Sequence, residues 1–509
     1  MLDVRGAAGA DALGFLTSMF FHGGWLPSGP MHPFPRVLAL GLSEATSSRV
    51  ADPEFAAQLP CLMHMARNGA SGITVAPQPL VSETLWASVV TGRSPEGHGL
   101  RSAVHRDRDG TVRLLTARDL AAPPVWRILE DAGLATGTFN LKLTHSPEAV
   151  SGFMVARDAL PVFHPGLMHP PALYPPLRER FGSWTMTTMA RTREDWHSAL
   201  IAEEIETRTD VLVELLRTRP WSFALAQLPE VSRAQHRLWN DPEALRAVYA
   251  AADRRIARIL GAVGPDTMVF VFSECGAGPI RHGVQVNAWL EREGYLQRCR
   301  GRVKRLASQI ALHCIRAYAA MRRMAPSVVS GWTEVHLSAV KSRTRAALTT
   351  TDVDWSRTRA ISPASSGEII LNASEHERRA LADELRTRLL GLRDPEGRRV
   401  VEDVIVGCDP DLTIVWDDDA YMPAERLDER NRIFIEWDPE GTGWSFSGSH
   451  RREGILLVNG PGIERVELGR VPTIDLVPTW LELLGVAVPR EIEGLSFAPR
   501  LVSRRRAAV

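Results

Sequence analysis

Several polar, reactive side chains in this sequence of 509 residues come directly after apolar segments typical of strands. Ser43 follows RVLALGL, Glu274 follows TMVFVFS, and residues 230–236 follow WSFALAQL, while Ser82 stands shortly before the helical pattern LWAS. In parallel sheets, reactive groups lie in loops just past the carboxyl ends of the strands. Serine can act as a nucleophile, and carboxylates and histidines can act as acids, bases or metal ligands. The sequence therefore predicts one site built from these loops.

Short β-branched runs alternate with longer helical patterns along the chain. This alternation is typical of a parallel sheet with helices on both faces, so an α/β fold is expected. The predicted strands cover 36–42, 72–76, 221–228, 267–273, 367–371, 412–416 and 455–458. The predicted helices cover 193–218, 241–261, 374–391 and 473–484, the last of them ended by Gly485.

Inserted segments divide the chain. The predicted regions are an N-terminal extension (1–35), an α/β core (36–297), a basic helical insertion (298–350) and the remainder of the core with its C-terminal tail (351–509). Residues 140–192, rich in Pro and His, predict a cap over the sheet edge. Residues 298–346 carry eleven Lys or Arg and one acid, Glu334. They predict a solvated helical face; a lid that attracts an anionic substrate, or a contact to acidic lipid or a partner, is the alternative.

Composition excludes several classes of protein. Sixty basic and sixty acidic side chains leave no net charge, so charge does not favour nucleic acid as a partner. Five scattered cysteines lack the spacing of a disulfide scaffold and indicate a reducing compartment. The apolar residues 12–21 are too short to span a bilayer and predict a packed or partner-facing helix. No membrane span and a cytoplasmic location are expected, and the sequence does not specify an oligomeric state.

Four separated segments together resemble the type I phosphodiesterase and nucleotide pyrophosphatase family of the alkaline phosphatase superfamily. They are VLALGLSEAT (37–46), VSETLWASVVTGRSPEGHG (81–99), VFVFSECGAGPIRHGVQVNAWLEREGYL (269–296) and SGSHRREGILLVNGPGI (447–463). The resemblance implies an alkaline-phosphatase-like, mainly parallel central sheet with inserted cap and helical segments. It also implies phosphoester hydrolysis, in which a hydroxyl attacks phosphorus between two zinc-type ions held by three Asp and three His.

By this resemblance the nucleophile falls on Ser82. A hydroxyl at the start of a helix suits anion chemistry, because free backbone N–H groups and the helix dipole face the phosphate. The alternative is that Ser82 is only the N-cap of its helix, a position that serine occupies well.

The metal ligands of the family are partly replaced. The six positions fall here on two hydroxyls, a carboxylate, a thiol and two histidines: Ser43, Ser232, Glu274, Cys275, His236 and His450. Ser43 and Ser232 stand where the resemblance implies aspartate, and a neutral serine is a poor replacement for a carboxylate ligand. A site with two tightly held ions is therefore not expected.

A single-metal site is one expectation for what remains. His236, His450, Glu274 and Cys275 offer two nitrogens, an oxygen and a sulfur, an acceptable set for one Zn²⁺ or Mn²⁺ ion. The plain alternative is that no metal binds, with Cys275 a small buried hydrophobe and both histidines structural.

Two neighbouring acids offer another way to complete a site. Glu44 adjoins Ser43, and Glu230 lies two residues before Ser232, so either one can supply a missing carboxylate. His145 is a candidate for facing the substrate.

These observations predict an enzyme that acts on an anionic small molecule, a phosphoester or a related phosphoryl or sulfuryl compound, through Ser82. Two alternatives remain open. One is a catalytically inactive member that serves as a binding or assembly subunit. The other is a repurposed site that runs a metal-independent reaction other than hydrolysis. An open pocket around Ser82 favours catalysis, whereas apolar side chains filling it favour an inactive subunit.

Overall fold

The structure is a computed structural model, and it describes residues 36–502 with internal gaps. The gaps are 102–103, 107–111, 158–163, 185–198, 300–352, 363–366, 408–410, 418–419, 425–430 and 438–445. The predicted helix at 12–21 and nearly all of the basic insertion lie outside the described residues.

The largest sheet contains nine strands. In chain order they are β1 (Arg36–Leu42), β2 (Ala70–Val75), β3 (Thr136–Phe139), β4 (Phe153–Val155), β5 (Met168–His169), β6 (Phe223–Leu228), β7 (Thr267–Phe272), β8 (Leu456–Asn459) and β9 (Val466–Pro472). Their order across the sheet is β9-β2-β8-β7-β1-β6-β3-β4-β5. Strands β7, β1, β6, β3 and β4 are parallel, and β8 is antiparallel to both of its neighbours. The prediction of an α/β fold with a mainly parallel central sheet is confirmed.

Side chains alternate between the two faces of the sheet, as the pleat requires. Leu38 and Leu40 of β1 belong to one hydrophobic cluster, and Val37 and Ala39 belong to the cluster on the opposite face. All four side chains are fully buried. Helices therefore cover both faces, which is why the central strands read as nearly continuous apolar runs.

The parallel strands end at one edge of the sheet. In register, Leu42 of β1 pairs with Leu228 of β6, and Gly41 pairs with Phe272 of β7. Phe139 of β3 pairs with Val155 of β4. Loops that follow these five strands therefore meet at the same edge.

The described part of the chain forms fourteen α-helices. They span Ser47–Val50, Pro53–Ala56, Pro60–Asn68, Ser82–Thr91, Pro95–His98, Val125–Asp131, Tyr174–Phe181, Ala199–Thr218, Glu230–Leu238, Pro242–Val263, Val286–Arg292, Glu375–Leu390, Leu476–Leu483 and Ala498–Leu501. Among the described residues, no helix combines the length and the apolar character that crossing a membrane requires.

Two predicted strands do not join the central sheet. Glu368–Leu371 and Leu412–Trp416 pair antiparallel in a separate sheet of four strands, together with Ala360–Ile361 and Val401–Val406. Helix Glu375–Leu390 packs against this sheet around its own hydrophobic cluster. Short apolar runs look alike in sequence whichever sheet they enter, so the pattern alone assigned these two strands to the parallel sheet.

Smaller sheets complete the architecture. A sheet of three strands contains His282–Val284, Tyr421–Pro423 and Phe434–Glu436. Two pairs of strands are Val104–Arg106 with Val112–Leu114, and Gly276–Pro279 with Gly448–Arg451. The last pair brings the segment with His450 beside the segment that follows Glu274.

Candidate active site

Three side chains from three separate loops converge at the carboxyl edge of the central sheet. Glu44 follows β1, His236 lies in helix Glu230–Leu238, and His450 lies in the strand Gly448–Arg451. One atom from each of the three lies within 4.8 Å of the others. Glu44 Oε2 is 3.3 Å from His236 Nε2, and Glu44 Oε1 is 3.1 Å from His450 Nε2.

Both histidines present the same nitrogen to Glu44. His236 Nδ1 donates to the carbonyl of Gly448 at 2.9 Å, and His450 Nδ1 donates to the carbonyl of Leu80 at 2.8 Å. Each Nε2 is therefore the nitrogen that can carry a lone pair toward the carboxylate, as in histidines that bind metals. Glu44 Oε2 is buried and accepts no well-aligned hydrogen bond from the described residues.

This donor set fits one divalent ion. Two imidazole nitrogens and a carboxylate oxygen are the three protein ligands of many catalytic zinc sites. Facing acceptors need a cation or a proton between them. Without a metal, the proton goes to His450: burial lowers its pKa, but Glu44 outweighs burial and raises the pKa to about 9.

The two histidines stabilise the negative charge of Glu44. Burial raises the pKa of Glu44, yet His236 and His450 together hold it well below its usual range. Their side chains are about one fifth exposed, whereas that of Glu44 is nearly inaccessible. Solvent therefore reaches the cluster from the side of the histidines.

The backbone turns Glu44 toward the histidines. Its φ is 60°, in the left-handed region that few residues other than glycine adopt. The carbonyl of Glu44 accepts hydrogen bonds from Gln235 Nε2 (2.6 Å) and Thr46 Oγ1 (3.0 Å), which stabilise this turn. Ser232 Oγ donates to Glu44 Oε1 at 2.6 Å. Glu44 thus supplies a carboxylate beside a position where the family resemblance implied aspartate.

Ser82 is the first residue of helix Ser82–Thr91 and is half-buried. The N-cap residue is Val81, which has no capping side chain, so Ser82 does not serve as the cap here. The hydroxyl of Ser82 makes no hydrogen bond within the described part of the chain. The bond from His450 Nδ1 to Leu80 links the approach to this helix to the Glu44 cluster. Ser82 and the cluster of Glu44, His236 and His450 therefore lie in neighbouring segments at the carboxyl edge of the central sheet.

Glu274 and Cys275 do not join Glu44 and the histidines in this cluster. Glu274 Oε1 accepts from Trp86 Nε1 at 3.0 Å, and Oε2 accepts from the backbone N–H of Glu44 at 3.3 Å. Burial, reinforced by Glu44, raises the pKa of Glu274 to about 7. Cys275 is buried against Ala76 and Leu85.

Glycine makes room for this arrangement. A Cβ on Gly41 would lie 2.4 Å from the ring of Trp86, whose indole N–H holds Glu274. A larger residue at this position in β1 would displace Trp86, and with it the hydrogen bond to Glu274.

The remaining sequence candidates are engaged elsewhere. Ser43 is buried, and its Oγ accepts from Gln227 Nε2 at 2.8 Å. Glu230 pairs with Arg208 and Arg255, each at 3.0 Å. Burial raises the pKa of Glu230, but the charges of the two arginines have the larger combined effect and lower it to about 2. Of the two acids considered as replacements, Glu44 is the one that faces the histidines.

Two further histidines differ in their environments. His145 is exposed. His98 is buried, with Nε2 3.0 Å from Ser88 Oγ and Nδ1 accepting from the backbone N–H of Leu100. Burial lowers the pKa of His98 to about 4, as expected for a structural, neutral histidine.

Sequence reasoning missed two cations at this edge. Lys142 follows β3 and pairs with Glu83 at 2.6 Å, directly beside Ser82. Arg157 follows β4 by two residues. The strands before them have only four and three residues, and so gave little periodic signal. The signal that could have indicated a functional role was their position just past the carboxyl end of a strand.

A second group of possible ligands lies far along the chain, at His282, Asp394 and Glu396. Asp394 already accepts from Arg398 Nε (2.9 Å), from the Tyr421 hydroxyl (2.8 Å) and from two backbone N–H groups. The arginine charge and these bonds make Asp394 a structural carboxylate that closes a turn.

Solved structures with this fold share little sequence with the chain. Human ectonucleotide pyrophosphatase/phosphodiesterase 5 superposes with a TM-score of 0.51 at 10% identity, covering 89% of this chain and 96% of its own. Phosphonoacetate hydrolase from Sinorhizobium meliloti 1021, in complex with phosphonoformate, gives 0.53 at 14% identity, with 91% and 98% covered. A mutant of alkaline phosphatase PafA gives 0.52 at 13% identity, with 93% and 100% covered. These similarities show the alkaline-phosphatase-like fold.

No curated protein sequence is significantly similar to the chain. The family model described as type I phosphodiesterase / nucleotide pyrophosphatase, in contrast, matches residues 51–419. That range includes the helix of Ser82, the helix of Ser232 and His236, and the strand before Glu274. Because the match covers well over half of the sequence, the chain belongs to the type I phosphodiesterase / nucleotide pyrophosphatase family.

Proposed function

We propose that this protein hydrolyses a phosphate ester through Ser82, assisted by one divalent metal ion, Zn²⁺ or Mn²⁺, at Glu44, His236 and His450. The observation that carries the proposal is the convergence of these three side chains beside the segment that leads into the Ser82 helix. Membership of a phosphoesterase-like family supports the type of reaction.

In the first step, Ser82 Oγ attacks phosphorus and forms a bond to it, the bond from phosphorus to the ester oxygen breaks, and the proton of the Ser82 hydroxyl passes to that oxygen, which leaves as the alcohol. Water then attacks the phosphoserine, which releases phosphate and regenerates the hydroxyl. The position of Ser82 at the first turn of a helix of ten residues supports this role, because unpaired backbone N–H groups there favour a negative charge.

The chain's own residues prepare the site for an ion. The Gly448 and Leu80 carbonyls orient the two imidazole rings, and Ser232 holds one oxygen of Glu44. When bound, a divalent ion would supply positive charge that neutralises the transferred group. The cluster of described ligands contains one carboxylate, that of Glu44, where the family resemblance implied three aspartates, so a second ion is not proposed.

The substrate proposed is an anionic small molecule. Ser82, His236 and His450 are partly exposed, which supports an accessible site. Cys61, Cys275 and Cys299 are not joined in disulfides, which supports the expectation of a reducing compartment such as the cytoplasm.

The test is turnover of nitrophenyl phosphate and bis-nitrophenyl phosphate by the full chain, with one equivalent of Zn²⁺ or Mn²⁺. We expect slow release of nitrophenol and, after acid quenching, a phosphoryl group on Ser82 by mass spectrometry. Ser82→Ala should abolish both signals. Equal turnover by this variant would contradict the proposal. Absence of turnover on every phosphate ester tried would favour a binding subunit instead.

A further inference from the structure

Several charged side chains at the carboxyl edge of the central sheet have partners among the described residues. Lys142 is neutralised by Glu83 at 2.6 Å. Arg208 and Arg255 share Glu230, each at 3.0 Å. Glu274 is held by Trp86 and by the backbone of Glu44. The guanidinium of Arg157 has no such pairing within the described residues.

Arg157 lies at the same edge as Ser82 but forms no ion pair in the described chain. Its backbone N–H donates to Thr144 Oγ1 at 3.3 Å, and its side chain is half-buried. The Nη1 atom itself is buried and has no hydrogen-bond partner among the described residues. Leaving a buried donor unpaired is costly, so such a group needs a reason to be retained.

Hydrogen bonds relate the segment of Arg157 to the Ser82 helix: its backbone N–H contacts Thr144, two residues after Lys142, which pairs with Glu83. Burial lowers the pKa of Arg157, while Glu83, Glu230 and Glu274 act to raise it. Glu83 adjoins the proposed nucleophile, and Glu274 touches the Glu44 loop. Arg157 therefore belongs to the segment that adjoins the Lys142–Glu83 pair, one residue from the proposed nucleophile, and each of these acids pairs with a group other than Arg157.

We infer that Arg157 binds the phosphoryl oxygens of the substrate and selects a dianionic phosphate monoester over a diester. This inference rests on the proposed phosphoester site at Ser82. A guanidinium binds two oxygens of one phosphoryl group with directional hydrogen bonds. A monoester dianion offers three terminal oxygens and two charges, whereas a diester offers two oxygens and one charge. Arg157 forms no ion pair with a described acid, so its positive charge favours the monoester dianion over the diester.

The inference can be tested by calorimetric titration of the full chain at pH 8 with a chelator present. Inorganic phosphate is the probe for a dianion, and dimethyl phosphate is the probe for a monoanion. We expect phosphate to bind more tightly than dimethyl phosphate. Arg157→Gln should weaken phosphate binding roughly tenfold or more, because it removes a charged, directional contact. Arg157→Lys should retain part of the affinity, since it keeps the charge.

Arg292→Gln is the matched control, because this exposed arginine ends helix Val286–Arg292, which packs in the hydrophobic cluster of the separate four-stranded sheet. Thermal unfolding of each variant checks that the fold is intact. If Arg157→Gln is unfolded, Arg157→Lys decides the matter through its selectivity between the two probes. Phosphate binding that is absent in the natural chain, unchanged in Arg157→Gln, or matched by dimethyl phosphate would overturn the inference.

Ser82→Ala separates this inference from the proposed function. Phosphate binding that depends on Arg157, without any turnover that depends on Ser82, would overturn the proposed function alone. Turnover that depends on Ser82, with phosphate binding indifferent to Arg157, would overturn this inference alone.

Discussion

The hydroxyl of Ser232 donates a hydrogen bond of 2.6 Å to Oε1 of Glu44. Ser232 stands where the family resemblance implied a metal-binding aspartate, and here it supports a carboxylate that comes from another loop. The loss of aspartate at this position therefore does not remove negative charge from the site. It moves the source of that charge from the helix of His236 to the loop after β1.

Metal content should depend on Glu44. We expect the natural chain to bind at most about one equivalent of Zn²⁺ or Mn²⁺, since three ligands converge. Glu44→Gln should lose most of this metal, because an amide is a far weaker ligand than a carboxylate. Elemental analysis after dialysis against the free ion measures this.

The controls for that experiment are Glu274→Gln and Cys275→Ala. Neither side chain belongs to the Glu44 cluster, so both variants should keep the metal. Loss of the ion from Cys275→Ala would instead support a mixed site with sulfur. Two ions per chain at full occupancy would contradict the role given to the replaced aspartate positions.

Ser82→Ala should lower any turnover by about three orders of magnitude or more, because it removes the attacking atom. Stability should change by less than about 1 kcal/mol, since Val81 is the N-cap and alanine is a good helix former. Steady-state kinetics and thermal unfolding measure the two effects.

Ser88→Ala is an unsuitable control because the Ser88 hydroxyl is hydrogen-bonded to His98. Ser94→Ala, at the N-cap of the next helix, is a better one.

Three strands of the parallel core, β1, β6 and β7, were predicted because each is a run of six or seven residues buried on both faces, whereas the shorter strands β3 and β4 were not predicted. Runs such as RVLALGL need no partner information to be recognised, and Arg36–Leu42 has the predicted bounds. Helix ends were predicted within a few residues, as for Glu375–Leu390. Strand pairing was less predictable. Nothing local in the run at 412–416 distinguishes an antiparallel satellite sheet from the central one.

The site was partly predictable for a similar reason. The two histidines and Ser82 could be placed by their loops, but the third member of the cluster depends on backbone geometry. Glu44 was one of two acids considered, and its φ of 60° turns it toward the histidines. A left-handed conformation at glutamate cannot be read from sequence, because it is imposed by tertiary contacts such as those of Gln235 and Thr46.

The pH dependence of the free energy of unfolding should show that Glu274 has a raised pKa. Its pKa is raised from 4.5 to about 7 by burial and by Glu44, so the folded chain keeps a proton that the unfolded chain releases. Stability is therefore lost as pH rises from about 4.5 to 7 and is level above that, amounting to about 3 kcal/mol from this group. Glu274→Gln removes this dependence.

The measurement is urea unfolding of both proteins between pH 4.5 and 8 with a chelator present. The difference in unfolding free energy between variant and natural chain should grow with pH, in favour of the glutamine. Titrating groups far from Glu274 are shared by the two proteins and cancel, whereas Glu44 and His450 interact with Glu274 and contribute to the difference. Parallel pH profiles for the two proteins would show that Glu274 is not a perturbed acid.

The buried pairing of Glu230 should be essential for folding. Arg208→Ala leaves an inaccessible carboxylate with one partner, Arg255, and we expect a loss of about 3 to 5 kcal/mol in unfolding free energy. Arg217→Ala, an exposed arginine in the same helix, should change it by less than about 0.5 kcal/mol. Equal effects in the two variants would mean that the pair contributes nothing specific.

Exchanging the source of the carboxylate tests the relationship between Ser232 and Glu44 directly. A carboxylate at position 232 would lie close to where Glu44 Oε1 now lies, because the Ser232 hydroxyl is 2.6 Å from that atom. Ser232→Asp alone should bring two negative charges together and destabilise the metal-free chain, since like charges in a buried site repel. Combined with Glu44→Gln, it should restore about one equivalent of metal that the single Glu44→Gln variant lacks. Elemental analysis of the four proteins forms a double-mutant cycle, and strong coupling between the two positions is expected. If the double variant stays metal-free while folding normally, the two positions are not interchangeable sources of one ligand.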